Sequence, residues 1–133
     1  MSLSVVYTRA ALGVKAPLIS VEVHLSNGLP GLTLVGLPET TVKEARDRVR
    51  SAIINSGYTF PAKKITINLA PADLPKEGGR YDLPIAIALL AASEQLNTTR
   101  LGSYEFVGEL ALTGALRGVP GAISGALEAI RAG

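Results

Sequence analysis

The order of elements read from this sequence predicts a compact two-layer α+β (α/β) domain: strands, helix, strand, helix, a strand pair, and a last helix. Three observations carry that prediction. Residues 18–25 and 64–69 alternate apolar and polar with a period of two, as half-buried strands do. Residues 41–53 place apolar side chains on a helical stripe. Residues 85–96 are apolar nearly all round, as in a helix at the centre of a core.

Val5 to Leu12 is β-prone and interrupted by Gly13. In the next strand Ile19, Val21, Val23 and Leu25 face one side, and Ser20, Glu22 and His24 the other. Ser26-Asn27-Gly28 is a hairpin signal, because Asn and Gly tolerate positive φ. With Leu32 to Val35 as a third strand, the expectation is an antiparallel meander of three. Thr41 and Glu44 have capping-box spacing at the start of the first helix. Its apolar stripe is Val42, Ala45, Val49, Ala52 and Ile53, and Gly57 is its stop. Lys43, Arg46, Asp47 and Arg50 lie opposite that stripe, and Glu44 and Arg48 form an i,i+4 pair.

The fourth strand alternates Ile65, Ile67 and Leu69 with Lys64, Thr66 and Asn68. The loop from Pro71 to Tyr81 follows, with Asp82 as a candidate cap and Pro84 in the first turn of the second helix. Glu105 to Leu110 and Leu112 to Val119 read as short strands separated by Thr113-Gly114. Pro120 opens a last helix with Ile123, Leu127 and Ile130 on one stripe.

Composition narrows the function classes. A chain of 133 residues is one domain's length. At 47% hydrophobic and 18% charged it is not a disordered chain. Without Cys it has no disulfides, thiolate metal ligands or cysteine nucleophile, and its single His excludes a multi-histidine metal site. The longest apolar run, Leu83 to Ala92, is about half of the ~20 residues of a membrane span. The first residues lack a basic segment followed by an apolar stretch, so no signal peptide is expected. A net charge of +2 does not by itself indicate nucleic acid.

Catalytic signals are sparse. Gly31 to Gly36 has the glycine spacing of a phosphate-binding loop, but Leu37-Pro38 stands where Lys and Ser/Thr are required. No G-x-S-x-G elbow occurs, and His24 sits on the polar face of a strand. The six aromatics are scattered along the chain and do not interleave with the basic residues as a stacking platform would. The loop Asp73 to Asp82 is long for a compact domain, with two Gly able to admit a close neighbour.

Four stretches carry a resemblance: His24–Gly31 (HLSNGLPG), Val35–Arg50 (VGLPETTVKEARDRVR), Asn68–Gly79 (NLAPADLPKEGG) and Gly108–Arg117 (GELALTGALR). The sequence resembles the N-terminal domain of the ComM/YifB family, bacterial proteins related to the AAA+ subunit of magnesium chelatase. The resemblance implies the fold of domain 2 of ribosomal protein S5, shared with the proteolytic domain of Lon. It implies one Lon-like domain over residues 1–133, and raises the expectation that a further strand and helix follow beyond it. It also implies an AAA+ ATPase domain outside this chain, which would bind ATP and Mg, form hexameric rings in the cytoplasm, and act on DNA as a branch-migrating helicase in natural transformation. No cofactor, metal or membrane contact is expected of this domain itself.

Lon-type proteases place a Ser nucleophile at a helix start after a Pro-Lys-acid-Gly loop and activate it with a Lys on a later helix. This sequence is similar in Pro75-Lys76-Glu77-Gly78, but Asp82 falls at the nucleophile's position. The Lys position falls near Ile123, and residues 118–133 contain no Lys. The expectation is a non-catalytic assembly or substrate-guiding module. Its interaction loop is Asp73, Pro75, Lys76, Glu77, Gly78, Gly79, Arg80 and Asp82, expected to meet its own AAA+ domain and ring neighbours. The alternatives are direct DNA binding through Lys43, Arg46, Arg50, Lys63, Lys64 or Arg80, and an accessory role in a metal-chelatase-type ATPase.

Overall fold

A computed structural model describes residues 3–10, 16–71, 79–99 and 101–117. The last helix expected from Pro120, the Ile123 position, and Asp73, Pro75, Lys76, Glu77 and Gly78 all lie outside the described residues.

The strands form where period-two alternation meets β-branched residues. β1 (Leu3–Arg9), β2 (Leu18–Ser26), β3 (Gly31–Val35) and β4 (Lys64–Ala70) make one mixed sheet in the order β1-β2-β4-β3. The register places Val6 opposite Val21, Val21 opposite Leu69, and Val23 opposite Ile67, so these inward residues join one largely apolar face, on which Thr8 is the buried polar member of β1. The other face mixes polar side chains, among them Asn68 Nδ2 donating to Glu22 Oε1 at 2.8 Å, with the exposed Leu3, Val5, Leu18 and Val35. Two helices, α1 (Glu39–Asn55) and α2 (Asp82–Ala92), complete the core with that apolar face, giving the two-layer α+β architecture. A small hairpin of β5 (Glu109–Leu110) and β6 (Leu116–Arg117) follows.

The expected three-strand meander is wrong in one respect. β3 does not pair with β2; it runs parallel to β4 on that strand's far side, with Leu32 opposite Ile65 and Leu34 opposite Ile67. β4 occupies the place beside β2, because Ile65, Ile67 and Leu69 are all buried and suit an interior strand. β3 offers only the half-buried Leu32 and Leu34, so it takes the edge. Ser26-Asn27-Gly28 still bends the chain, with Gly28 at φ 146°, but it leads past the end of β4 rather than into a hairpin.

Three boundaries also move. α1 begins at Glu39, with Pro38 as its cap residue and no side-chain capping bond, so the Thr41–Glu44 box is not formed. Gly36 at φ 104° and Pro38 turn the chain into the helix before Thr41 is reached. α2 ends at Ala92, and Glu94 at φ 61° takes the chain away before Leu96. Of the strands expected at 105–110 and 112–119, the described residues form Glu109–Leu110 and Leu116–Arg117, and residues 118–119 lie outside them.

Segment 104–106 closes the β1 side of the sheet. Phe106 N donates to Tyr7 O at 2.9 Å, and Arg9 grips Glu105 through Nε (2.7 Å) and Nη2 (3.0 Å). Arg9 Nη1 also donates to Ala16 O at 3.0 Å.

Gly36 and Gly57 offer a matched test of this geometry. Both have positive φ, but a Cβ at Gly36 would stand 2.6 Å from Leu69 O, whereas Gly57 faces open space. Gly57→Ala is expected to cost about 1 kcal/mol from backbone strain alone. Gly36→Ala should cost clearly more, about 2–4 kcal/mol, because backbone must also move. Urea unfolding of the two variants checks the order.

Candidate functional site

α2 is apolar enough to be buried on all sides, so a carboxylate at its first residue has no route to water. Asp82 is 1% exposed. It does not cap its own helix, for which Tyr81 is the cap residue without a side-chain bond. Instead Arg48, on α1, donates from Nε to Asp82 Oδ2 at 2.7 Å and from Nη2 to Oδ1 at 3.3 Å. The backbone amide of Leu110, on β5, donates to Oδ2 at 3.1 Å. One carboxylate therefore joins both helices to the hairpin.

The backbone around it is knitted to match. Leu83 N donates to Gly108 O and Gly108 N to Arg80 O, both at 3.0 Å. Gly79 lies close against the Glu109 side chain, which would have to move aside for a Cβ there. Tyr81 is buried beside this node, and its hydroxyl has no hydrogen-bond partner among the described residues. Burial pushes the Tyr81 phenol up, against a smaller opposing effect of Arg80.

The electrostatics of the pair are asymmetric. The hydrogen bond to Asp82 holds the Arg48 guanidinium charged more firmly than usual. Burial raises Asp82 above the ordinary carboxylate range in spite of Arg48 and the Leu110 amide, and Glu109 adds to the rise. The pair looks favourable from the Arg48 side and costly from the Asp82 side. Desolvation of Asp82 dominates, because the Arg48 side chain keeps 23% of its exposure and the Asp82 side chain 1%.

Of the expected interaction loop, Gly79, Arg80 and Asp82 are described, and all three belong to this buried node rather than to an outward-facing loop. Arg80 is 5% exposed and so is not a DNA-facing cation. Arg48 turns inward to Asp82 rather than pairing with Glu44 on the helix surface. The strand Gly31–Val35 and the turn at Gly36 do not form a phosphate cradle: Gly36 sits against the carbonyl oxygen of Leu69, an acceptor that repels phosphate. Among the described residues no group of three His, Asp or Glu side chains could hold a metal. No helix there is long and apolar enough to cross a membrane.

The remaining candidates gather on the other flank of α1. Arg46, Arg50 and Lys63 line a groove of about 690 Å³ with Tyr58 and Phe60, between α1, the start of β3 and the segment leading into β4. Lys43 lines an adjoining groove of about 700 Å³ that shares Leu32 and Arg46 with the first. The Arg50 guanidinium carbon lies 5.8 Å from the centre of the Phe60 ring. Lys64 is exposed outside both grooves, and His24 is exposed on β2. The expectation of scattered aromatics thus fails for Tyr58 and Phe60: Gly57 ends the helix and returns the chain along its side.

Residues 21–133 match the family of subunit ChlI of Mg-chelatase. The whole chain is 85% identical to the uncharacterized protein YifB of Salmonella typhimurium, covering 26% of that protein. Over 129 residues, 97% of the chain, it is 68% identical to the competence protein ComM of Haemophilus influenzae, covering 25% of it. It is 39% identical over its whole length to an uncharacterized protein of Mycobacterium bovis, again covering 26%. The chain therefore spans about a quarter of the length of these curated relatives.

Two outcomes test the node. Arg48→Ala leaves Asp82 buried with only the Leu110 amide, and is expected to cost about 3–5 kcal/mol at neutral pH. The second concerns pH. Because the folded pKa of Asp82 is raised, the folded state holds more protons than the unfolded state above 3.8. Stability from this group is therefore highest at low pH and falls as pH rises through the folded pKa. Asp82→Asn removes that dependence. Subtracting its urea midpoints from those of the wild type between about pH 4 and 7 should leave a falling curve. A rising curve would mean that Arg48 and the Leu110 amide outweigh burial and hold the carboxyl below its ordinary range.

Proposed function

The chain belongs to the ComM/YifB family of proteins related to subunit ChlI of Mg-chelatase, and from that membership we propose that it is a non-catalytic, Lon-like N-terminal module of a larger ring-forming ATPase. Its role in the parent protein is assembly and substrate guiding. The observation that carries the reading is the state of Asp82. Its carboxylate stands where the Lon resemblance calls for an accessible nucleophile. It is instead 1% exposed, with both oxygens engaged by Arg48 and Oδ2 also by the Leu110 amide. A group so enclosed does not meet a peptide bond, and a carboxylate bound to a guanidinium is a poor nucleophile.

The remainder of the parent supplies the chemistry in this reading. It binds ATP and Mg, assembles as a hexamer in the cytoplasm, and moves DNA strands as a branch-migrating helicase. The family match supports a chelatase-like ATPase, and the name of the Haemophilus relative supports a competence role. The residues of this chain do not fit ATP, because Leu37-Pro38 replaces the phosphate-binding Lys and hydroxyl.

The test is proteolytic. Fluorescently labelled casein incubated with the purified chain is expected to stay intact. Cleavage that disappears in Asp82→Ala would overturn the reading. In the full-length protein, exchanging residues 73–78 for a Gly-Ser linker should lower ring assembly, read by sedimentation, while leaving the secondary structure unchanged.

A further inference from the structure

The two adjoining grooves beside α1 are lined by four cations, Lys43, Arg46, Arg50 and Lys63, and, among the described residues, by no Asp or Glu. The whole chain is nearly balanced, with 13 basic and 11 acidic residues, so this segregation is local. Asp47 is not part of that lining, though its Oδ1 pairs with Arg46 Nε at 3.9 Å. The floor and walls are apolar and aromatic, with Ile54, Tyr58 and Phe60 in the first groove. Tyr58 is 41% exposed, so a flat face is available to a ligand.

The helix geometry explains the segregation. Viewed down α1 at about 100° per residue, Arg48 marks one flank of the apolar stripe. Arg46, Arg50 and Lys43 then fall at about 160°, 200° and 220° from it, on the other flank, while Asp47 and Glu44 fall at about 260° and 320°, toward solvent.

We propose that this groove binds a single-stranded nucleic acid. Phosphates lie against Arg46, Arg50 and Lys63, and an unstacked base lies on Tyr58. The inference rests on the substrate-guiding role proposed above and gives that substrate a place on this chain, in the groove beside α1. Cations with no acid suit a polyanion, and exposed aromatic faces suit bases, which stack on Tyr and Phe whatever their sequence. An acidic peptide shares the charge but gains nothing comparable from the rings.

The test uses the 133-residue chain and a fluorescein-labelled oligodeoxythymidine of about 15 nucleotides, with anisotropy read at two or more salt concentrations. Three phosphate contacts give a slope of log K against log salt of about −2. Arg46→Ala with Arg50→Ala should bring that slope about 1.4 toward zero. Tyr58→Ala should weaken binding about tenfold with the slope unchanged, since only a base contact is lost. These side chains are exposed or rim-lying, and urea midpoints within the wild-type range confirm that the variants fold. A polyglutamate peptide of matched charge serves as competitor. If it displaces the oligonucleotide as well as unlabelled oligonucleotide does, or if Tyr58→Ala changes nothing, the nucleic-acid assignment is overturned. Absence of oligonucleotide binding overturns it too. With casein still intact, that outcome removes the groove assignment alone and leaves the non-catalytic reading in place.

Discussion

Asp82 is the constraint around which the helical layer is arranged. A carboxylate at the head of a wholly apolar helix must find a cation and a backbone donor or else lose its charge. Here it finds Arg48 from α1 and the amide of Leu110 from β5. Those bonds fix the spacing of the two helices, the position of the β5–β6 hairpin and the path of residues 79–83 at once. Gly79 and the 80–83/108 backbone bonds follow from the same close approach. Replacing the ion pair with apolar residues of similar volume need not destabilise such a site, whereas removing one partner does. The pair thus contributes more to geometry than to net stability.

The sheet shows a second asymmetry. Its β1 side is closed by Glu105 and Phe106, held by the Arg9 fork and the Phe106 amide. On the opposite side β3 pairs, among the described residues, only with β4. Gly31–Val35 carries none of the charges or prolines that usually protect an edge strand. The grooves lie along that side. The basic grooves of the domain and its least protected backbone therefore share one margin of the sheet.

Local pattern made much of this fold readable. Ile19, Val21, Val23 and Leu25 were assignable to one face because alternation is a property of a single strand, and all four are buried. The place of β3 was not readable, because it is decided by competition for the position beside β2 with β4, a strand that lies beyond the whole of α1 in the chain. The Thr41–Glu44 box failed because Gly36 and Pro38 turn the chain earlier. At the site, the sequence offers Asp82 as a helix cap and, through the Lon resemblance, as the occupant of the nucleophile's position, and neither reading reaches its ion pair with Arg48. The available signal was physical: an acid opening an apolar helix needs a buried cation, and Arg48 is the one α1 cation beside the stripe on the flank away from the other three.

That last point links the two halves of the molecule. A helix that packs by a smooth apolar stripe can rotate slightly without large loss, since dispersion contacts are many and individually weak. A two-bond fork between Arg48 and a fixed carboxylate removes that freedom. With Arg48 held against Asp82, the phase of α1 is set. Lys43, Arg46 and Arg50 are then carried to the margin beside β3, while Glu44 and Asp47 are carried to water. The same lock that encloses the Asp82 carboxylate orients the cations of the groove. The Arg48–Asp82 pair is in this way decisive for which face of the domain is basic.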